Sequence, residues 1–77
     1  MEKVEENVLD KYRIEGIDPV LSTKVCLALR TKWLIIGDTT LNMPKMCEFF
    51  KSDRETLTRI VHWYENHLID TRFTIND

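Results

Sequence analysis

The chain is poor in the residues that break helices. Gly16 and Gly37 are its two glycines, and Pro19 and Pro44 its two prolines. So little glycine excludes a phosphate-cradling glycine loop, and together the two counts exclude a low-complexity or proline-rich segment. Helices should therefore dominate, with Gly16 and Gly37 as natural stops. Two cysteines, Cys26 and Cys47, are too few for a disulfide framework and fall on expected helical core faces, so a reduced pair is expected. His62 and His67 have no local Cys or carboxylate pattern typical of zinc, and no metal or cofactor is expected. No apolar run is long enough for a membrane span, and no signal-peptide architecture is present, so a cytoplasmic location is expected. Positive charge is also in short supply. Eleven Lys and Arg face thirteen Asp and Glu, a net charge of −2. That counts against strong non-specific nucleic-acid binding, which needs a basic surface.

Seventy-seven residues suffice for one domain, near the size at which a single core only just holds. No nucleophile–base pair or carboxylate dyad stands at a useful spacing, so no catalytic residue is assigned and an enzyme is not expected.

The informative stretch is Leu41 to Ile69. Asn42 precedes a helix over 44–50, with Pro44 in its first turn, where a missing N–H costs nothing. Met43, Met46, Cys47 and Phe50 form one apolar stripe. A second helix spans 53–67. Ser52 with Glu55 three residues on fits a capping box, and Asp53 and Glu55 suit the positive end of the helix dipole. Leu57, Ile60, Val61, Tyr64 and Leu68 share one side of this helix. Arg54, Glu55, Thr58, Arg59 and His62 share the other. Arginine can pair bidentately with guanine, and glutamate can accept from the cytosine amino group. The same face also fits an ordinary solvated amphipathic helix.

Upstream, residues 1–16 read as an acidic arm, with Val4, Val8, Leu9 and Tyr12 on one side of a helix to about Asp10. Tyr12 to Glu15 is alternatively a short strand. The arm either covers the core or pairs with a second copy. Ile17-Asp18-Pro19 is a turn, and Ser22 is expected to cap a long first helix ending at Gly37. Its stripe is Val25, Cys26, Leu29, Trp33 and Ile36, with Lys24, Arg30 and Lys32 outward. Asp38 to Leu41 suits a short strand. Ile69 to Ile75 alternates as a longer one, with Ile69, Thr71, Phe73 and Ile75 on one side. Asn76-Asp77 would start the turn of a hairpin whose returning strand is missing, leaving an edge open for pairing. Trp63 lies on the border of the second helix's two faces and fits either core packing or a partner contact.

Taken together, the segment resembles the winged helix-turn-helix domains of bacterial, archaeal and phage DNA-binding proteins. Their common motif is of the type L-T-x-x-E-L-A-x-x-L-G-V-S-R-S-T-V-S-R-x-L-x-x-L-E-x-x-G-L-V. Leu41, Met46, Cys47, Phe50, Arg54, Thr56, Leu57, Arg59, Tyr64, Glu65, Leu68 and Ile69 fall on matching positions. The stretch from Asp18 to Trp33 is similar to the first helix of replication-initiator winged helices. Lys51 stands where the family prefers Gly, which predicts a reshaped turn. Asn66-His67 replaces a small-Gly pair.

The resemblance implies a mostly α, α+β fold: an N-terminal helical arm (1–16), then a winged helix-turn-helix domain (17–77) with three core helices and a minimal, truncated two-stranded wing. It implies a small sequence-specific DNA-binding protein, a transcriptional regulator or a plasmid or phage replication factor, with helix 53–67 in the major groove. Arg54, Glu55, Thr58, Arg59 and His62 would face bases or nearby phosphates. Lys45, Lys51 and Arg72 would hold the backbone. Double-stranded DNA is the expected partner, with a homodimer formed through the arm or the open edge strand. The alternative is a winged-helix interaction module docking on a transcription or replication protein.

Overall fold

A computed structural model of the chain describes residues 11–77. The arm's expected helix to Asp10 lies outside the described residues. From Pro19 on, the described residues form α1 (Pro19–Arg30), continued by a π-helical turn (Thr31–Ile36), β1 (Thr40–Asn42), α2 (Met43–Phe50), α3 (Arg54–His67) and β2 (Thr74–Asn76). The fold is α+β.

Tyr12, Ile14 and Ile17 are buried in the same core as α1 and α3, so residues 12–17 pack as part of the globular unit, without a strand at Tyr12 to Glu15. The hydroxyl of buried Ser22 donates to the Tyr12 carbonyl and ties this segment to α1. Ser22 is therefore not the expected cap. Asp18 caps α1 instead, its carboxylate accepting the Val20 amide at 3.3 Å, with Pro19 following in the first turn. An Asp-Pro pair is the better start signal, because the ring presets the helical φ and removes one orphan donor.

Val25, Cys26 and Leu29 are fully buried, as their spacing predicts. The stripe then fails. From Thr31 the helix widens to π geometry, which advances the side chains around the axis more slowly than α geometry does. Ile36 is consequently exposed, as are Leu34 and Ile35, and Trp33 is half-buried. Gly37 ends the turn in the left-handed conformation (φ 79°).

Asn42 caps α2 by accepting the Lys45 amide at 3.1 Å. Lys51 then adopts the left-handed conformation (φ 54°, ψ 48°), and its N–H bonds the Cys47 carbonyl. The turn thus keeps the shape a glycine would give it, and the expected reshaping does not occur. Asp53, not Ser52, caps α3: its carboxylate accepts both the backbone N–H of Thr56 at 3.0 Å and the Thr56 hydroxyl at 2.7 Å. Asn66 and His67 stay helical, and Lys51 is the one non-glycine residue with positive φ among the described residues.

The two strands pair in parallel, Thr40 with Thr74, Leu41 with Ile75 and Asn42 with Asn76. The expected strand over Ile69–Ile75 is corrected to Thr74–Asn76, although the alternation itself holds. Phe73 is buried, Ile69, Thr71 and Ile75 are half-buried, and Asp70, Arg72 and Thr74 are exposed. What fastens the segment before β2 is a side chain. Buried Glu65 accepts the Phe73 amide at 2.6 Å, occupying a backbone donor that no ladder reaches. The pairing is a crossover around α2 and α3, a different arrangement from a hairpin wing.

The core lies between α1, α3 and the 12–17 segment and is centred on Val25, Leu29, Leu57, Ile60 and Val61, all essentially inaccessible. Helix α2 packs on α3 and β1, with Met43 buried and Met46, Cys47 and Phe50 half-buried against the core.

Candidate nucleic-acid interface

Helix α3 divides as its spacing predicts. Leu57, Ile60, Val61 and Tyr64 are buried, while Arg54, Glu55, Arg59 and His62 are exposed and Thr58 is half-buried. Leu68, expected on the inner side, stands just past the helix end and is 39% exposed. The cap at Asp53 and the left-handed turn at Lys51 fix where this face begins. The Asp53 carboxyl is held below its ordinary pKa, first by the Thr56 hydroxyl and then by the Thr56 amide.

Apart from half-buried Thr58, the expected contact residues fall into two groups. Lys45, Lys51, Glu55 and His62 are exposed, and no side chain among the described residues pairs with them. The three arginines are engaged. Arg54 pairs with Asp77 at the surface. Arg59 donates from Nη2 to the Glu15 carbonyl at 3.2 Å, and its guanidinium lies over Gly16. A Cβ on Gly16 would stand 3.8 Å from that nitrogen, and the φ of 83° favours glycine there in any case. Arg72 reaches back from the segment before β2 to Glu65 at 3.3 Å and Asn66 at 3.1 Å, yet its side chain remains 71% exposed. Lys45 lies on α2, Lys51 in the turn after it and Arg72 beyond α3, so the eight residues span four parts of the fold.

Arg59 thus links the exposed face of α3 to the 12–17 segment, a relation that sequence spacing could not reveal. Glu65 is the residue that reasoning from sequence matched to a motif position but gave no role. Its one available signal was a carboxylate beside Tyr64 on the inward side of α3, where an uncompensated charge would be costly. Trp63 is half-buried, packs against the core and stacks on His67 with ring centroids 4.9 Å apart, while the His67 ring bonds the Trp63 carbonyl through Nδ1.

Among the described residues no group of three or more His, Cys, Asp or Glu is placed to hold a metal ion, and no helix is long and apolar enough to cross a membrane. Cys26 and Cys47 are both free thiols, the first buried and the second half-buried. In comparisons with known proteins, the chain matches no family model, no curated protein and no solved structure.

Proposed function

We propose that the protein binds double-stranded DNA in a sequence-specific way through helix α3, as a winged-helix-like transcriptional regulator or replication factor. The observation that carries this reading is the partition of α3: four apolar side chains seated in the core behind it, and Arg54, Glu55, Arg59 and His62 in solvent in front. A capped helix held at its back by packing presents its front side chains in a fixed register, which is what base readout requires. In this reading Arg54 and Arg59 address guanine edges, Glu55 a cytosine amino group, and Thr58 and His62 adjacent bases or phosphates. Lys45, Lys51 and Arg72 contact phosphates. The Arg72 guanidinium is positioned through Nη1 by Glu65 and Asn66, while the side chain stays 71% exposed, an arrangement that suits a positioned phosphate contact. With a net charge of −2, affinity depends on these few cations and on pairing of two copies.

The test is an amide chemical-shift map on adding random-sequence duplex at low salt, followed by selection of a preferred site. Shifts centred on 51–62, with further shifts at Lys45 and Arg72, are expected. On the selected site, Arg59→Ala should cost about 1–3 kcal/mol and relax the preference at one base pair. No shift on α3 with any duplex at low salt would end this reading.

A second reading, a docking module for a transcription or replication protein, is favoured by a different surface. Val20, Leu27 and Phe49 are exposed, Phe49 by 78%, on the face shared by α1 and the end of α2.

A further inference from the structure

Helix α1 and the C-terminal end of α2 enclose an open groove of about 760 Å³. Its walls are apolar: Val20, Leu21, Leu27 and Ala28 from α1, and Phe49 and Phe50 from α2. The two phenylalanine rings meet edge to face with centroids 4.9 Å apart, and Phe49 stays 78% exposed. Exposed aliphatic and aromatic side chains gathered around a concavity mark a place where another apolar surface is received.

The charges on this groove narrow what can fill it. Lys24 stands on the wall between Val20 and Leu27, one helical turn from each, and Lys51 closes the end beyond Phe50. Lys51 is fixed there by its left-handed backbone. The lining carries one carboxylate, Asp18, which caps α1 through the Val20 amide, so the two lysines leave the groove with a net positive charge. A second copy meeting this face with the same face would bring two linings of net positive charge together. Like charges of that kind disfavour self-pairing.

We infer that the groove between α1 and α2 receives an amphipathic helix of another protein, one whose apolar stripe is flanked by carboxylates. The stripe would lie between Leu27 and Phe49, and the carboxylates would reach Lys24 and Lys51. Such a helix reads as apolar anchors at i, i+3, i+4 and i+7 with Glu or Asp beside them. This inference rests on the docking reading and is separate from DNA binding, with which it shares Lys51 alone. It names the partner's chemistry, which the docking reading leaves open.

The experiment uses the full 77-residue chain and two synthetic helical peptides of about five turns (~18 residues). Both carry leucine at the same i, i+3, i+4, i+7 spacing. One has Glu at the flanking positions and the other Lys. Fluorescence anisotropy should show the Glu peptide binding about tenfold or more tightly than the Lys peptide, with a preference that shrinks in salt. Amide shifts should centre on Val20, Leu27 and Phe49. Lys24→Glu combined with Lys51→Glu should invert the preference, and Leu27→Asp, at an exposed position, should abolish binding while the amide spectrum stays dispersed. Equal affinity for both peptides would refute the acidic partner while leaving an apolar dock. No binding of either peptide, or shifts centred on α3, would refute the dock itself. Sedimentation showing a dimer that Leu27→Asp dissolves would assign the groove to a second copy and overturn the inference.

Discussion

The carboxylate of Glu65, buried on the inner side of α3, accepts the backbone amide of Phe73 at 2.6 Å and so joins the helix to the segment that leads into β2. The same group holds Arg72 at 3.3 Å. Removing it leaves a buried N–H without a partner. Glu65→Ala should therefore lower stability by about 2–3 kcal/mol, read from urea unfolding. Glu65→Gln retains an acceptor oxygen and should cost less. In either variant the Phe73 amide should exchange with solvent faster than in the parent chain.

Lys51 occupies the left-handed region with a side chain that gains nothing locally from being there. Lys51→Gly removes that steric penalty, offset in part by the greater freedom of glycine in the unfolded chain, and should stabilise by up to about 1 kcal/mol. The same change removes one proposed phosphate contact. The slope of log affinity for DNA against log salt should become shallower by about one. A more stable protein with an unchanged salt slope would remove Lys51 from the interface.

Asp53 predicts an acid-sensitive helix start. Its folded-state pKa is depressed by hydrogen bonds from the Thr56 hydroxyl and amide. A depressed carboxyl adds stability that is full above about pH 4, its ordinary range, and is lost as the pH falls through the folded value. Asp53→Asn can still cap but does not titrate, so its stability should be flatter with pH in acid. Thermal unfolding of both proteins from neutral pH downward measures the difference.

The two thiols should differ sharply in reactivity. Burial pushes Cys26 up to about 12, against a smaller opposing effect of its hydrogen bond with Ser22. Cys47 is half-buried. At mildly alkaline pH a thiol reagent should label Cys47 in the folded protein and Cys26 only on unfolding. A thiol pKa raised by folding also makes stability fall with rising pH, across the interval from about 9 to about 12.

Much of this fold was legible because helical spacing is a strong signal. The buried sets on α1 and α3, the Asn42 cap and the stop at Gly37 all follow from residue order. Caps were misplaced by a few positions where two candidates compete: Ser22 against Asp18, Ser52 against Asp53. A serine preceded by Asp-Pro loses that contest, and Ser22 is used inside the core instead. The π-helical turn was not legible, since nothing in Trp33-Leu34-Ile35-Ile36 distinguishes wider winding from an ordinary last turn. Nor was the parallel pairing of β1 with β2, which depends on how the helices between them pack.

For the candidate site, the exposed face of α3 could be read directly, but the engagement of Arg59 with Glu15 could not, because the two are remote in sequence. The groove did leave a trace. Phe49 and Phe50 are adjacent on a helix and cannot both face the core.

The parallel ladder makes β1 and β2 a clasp around the whole α2–α3 unit. The first hydrogen bond on the approach to β2 runs from the Thr74 amide to the Thr39 carbonyl at 2.8 Å. Its two ends meet only after both intervening helices are in position, so protection of the single Thr74 proton would report whether the intervening helix pair is assembled. A ligand that loosens α3 should unlatch that proton, even if it touches neither strand.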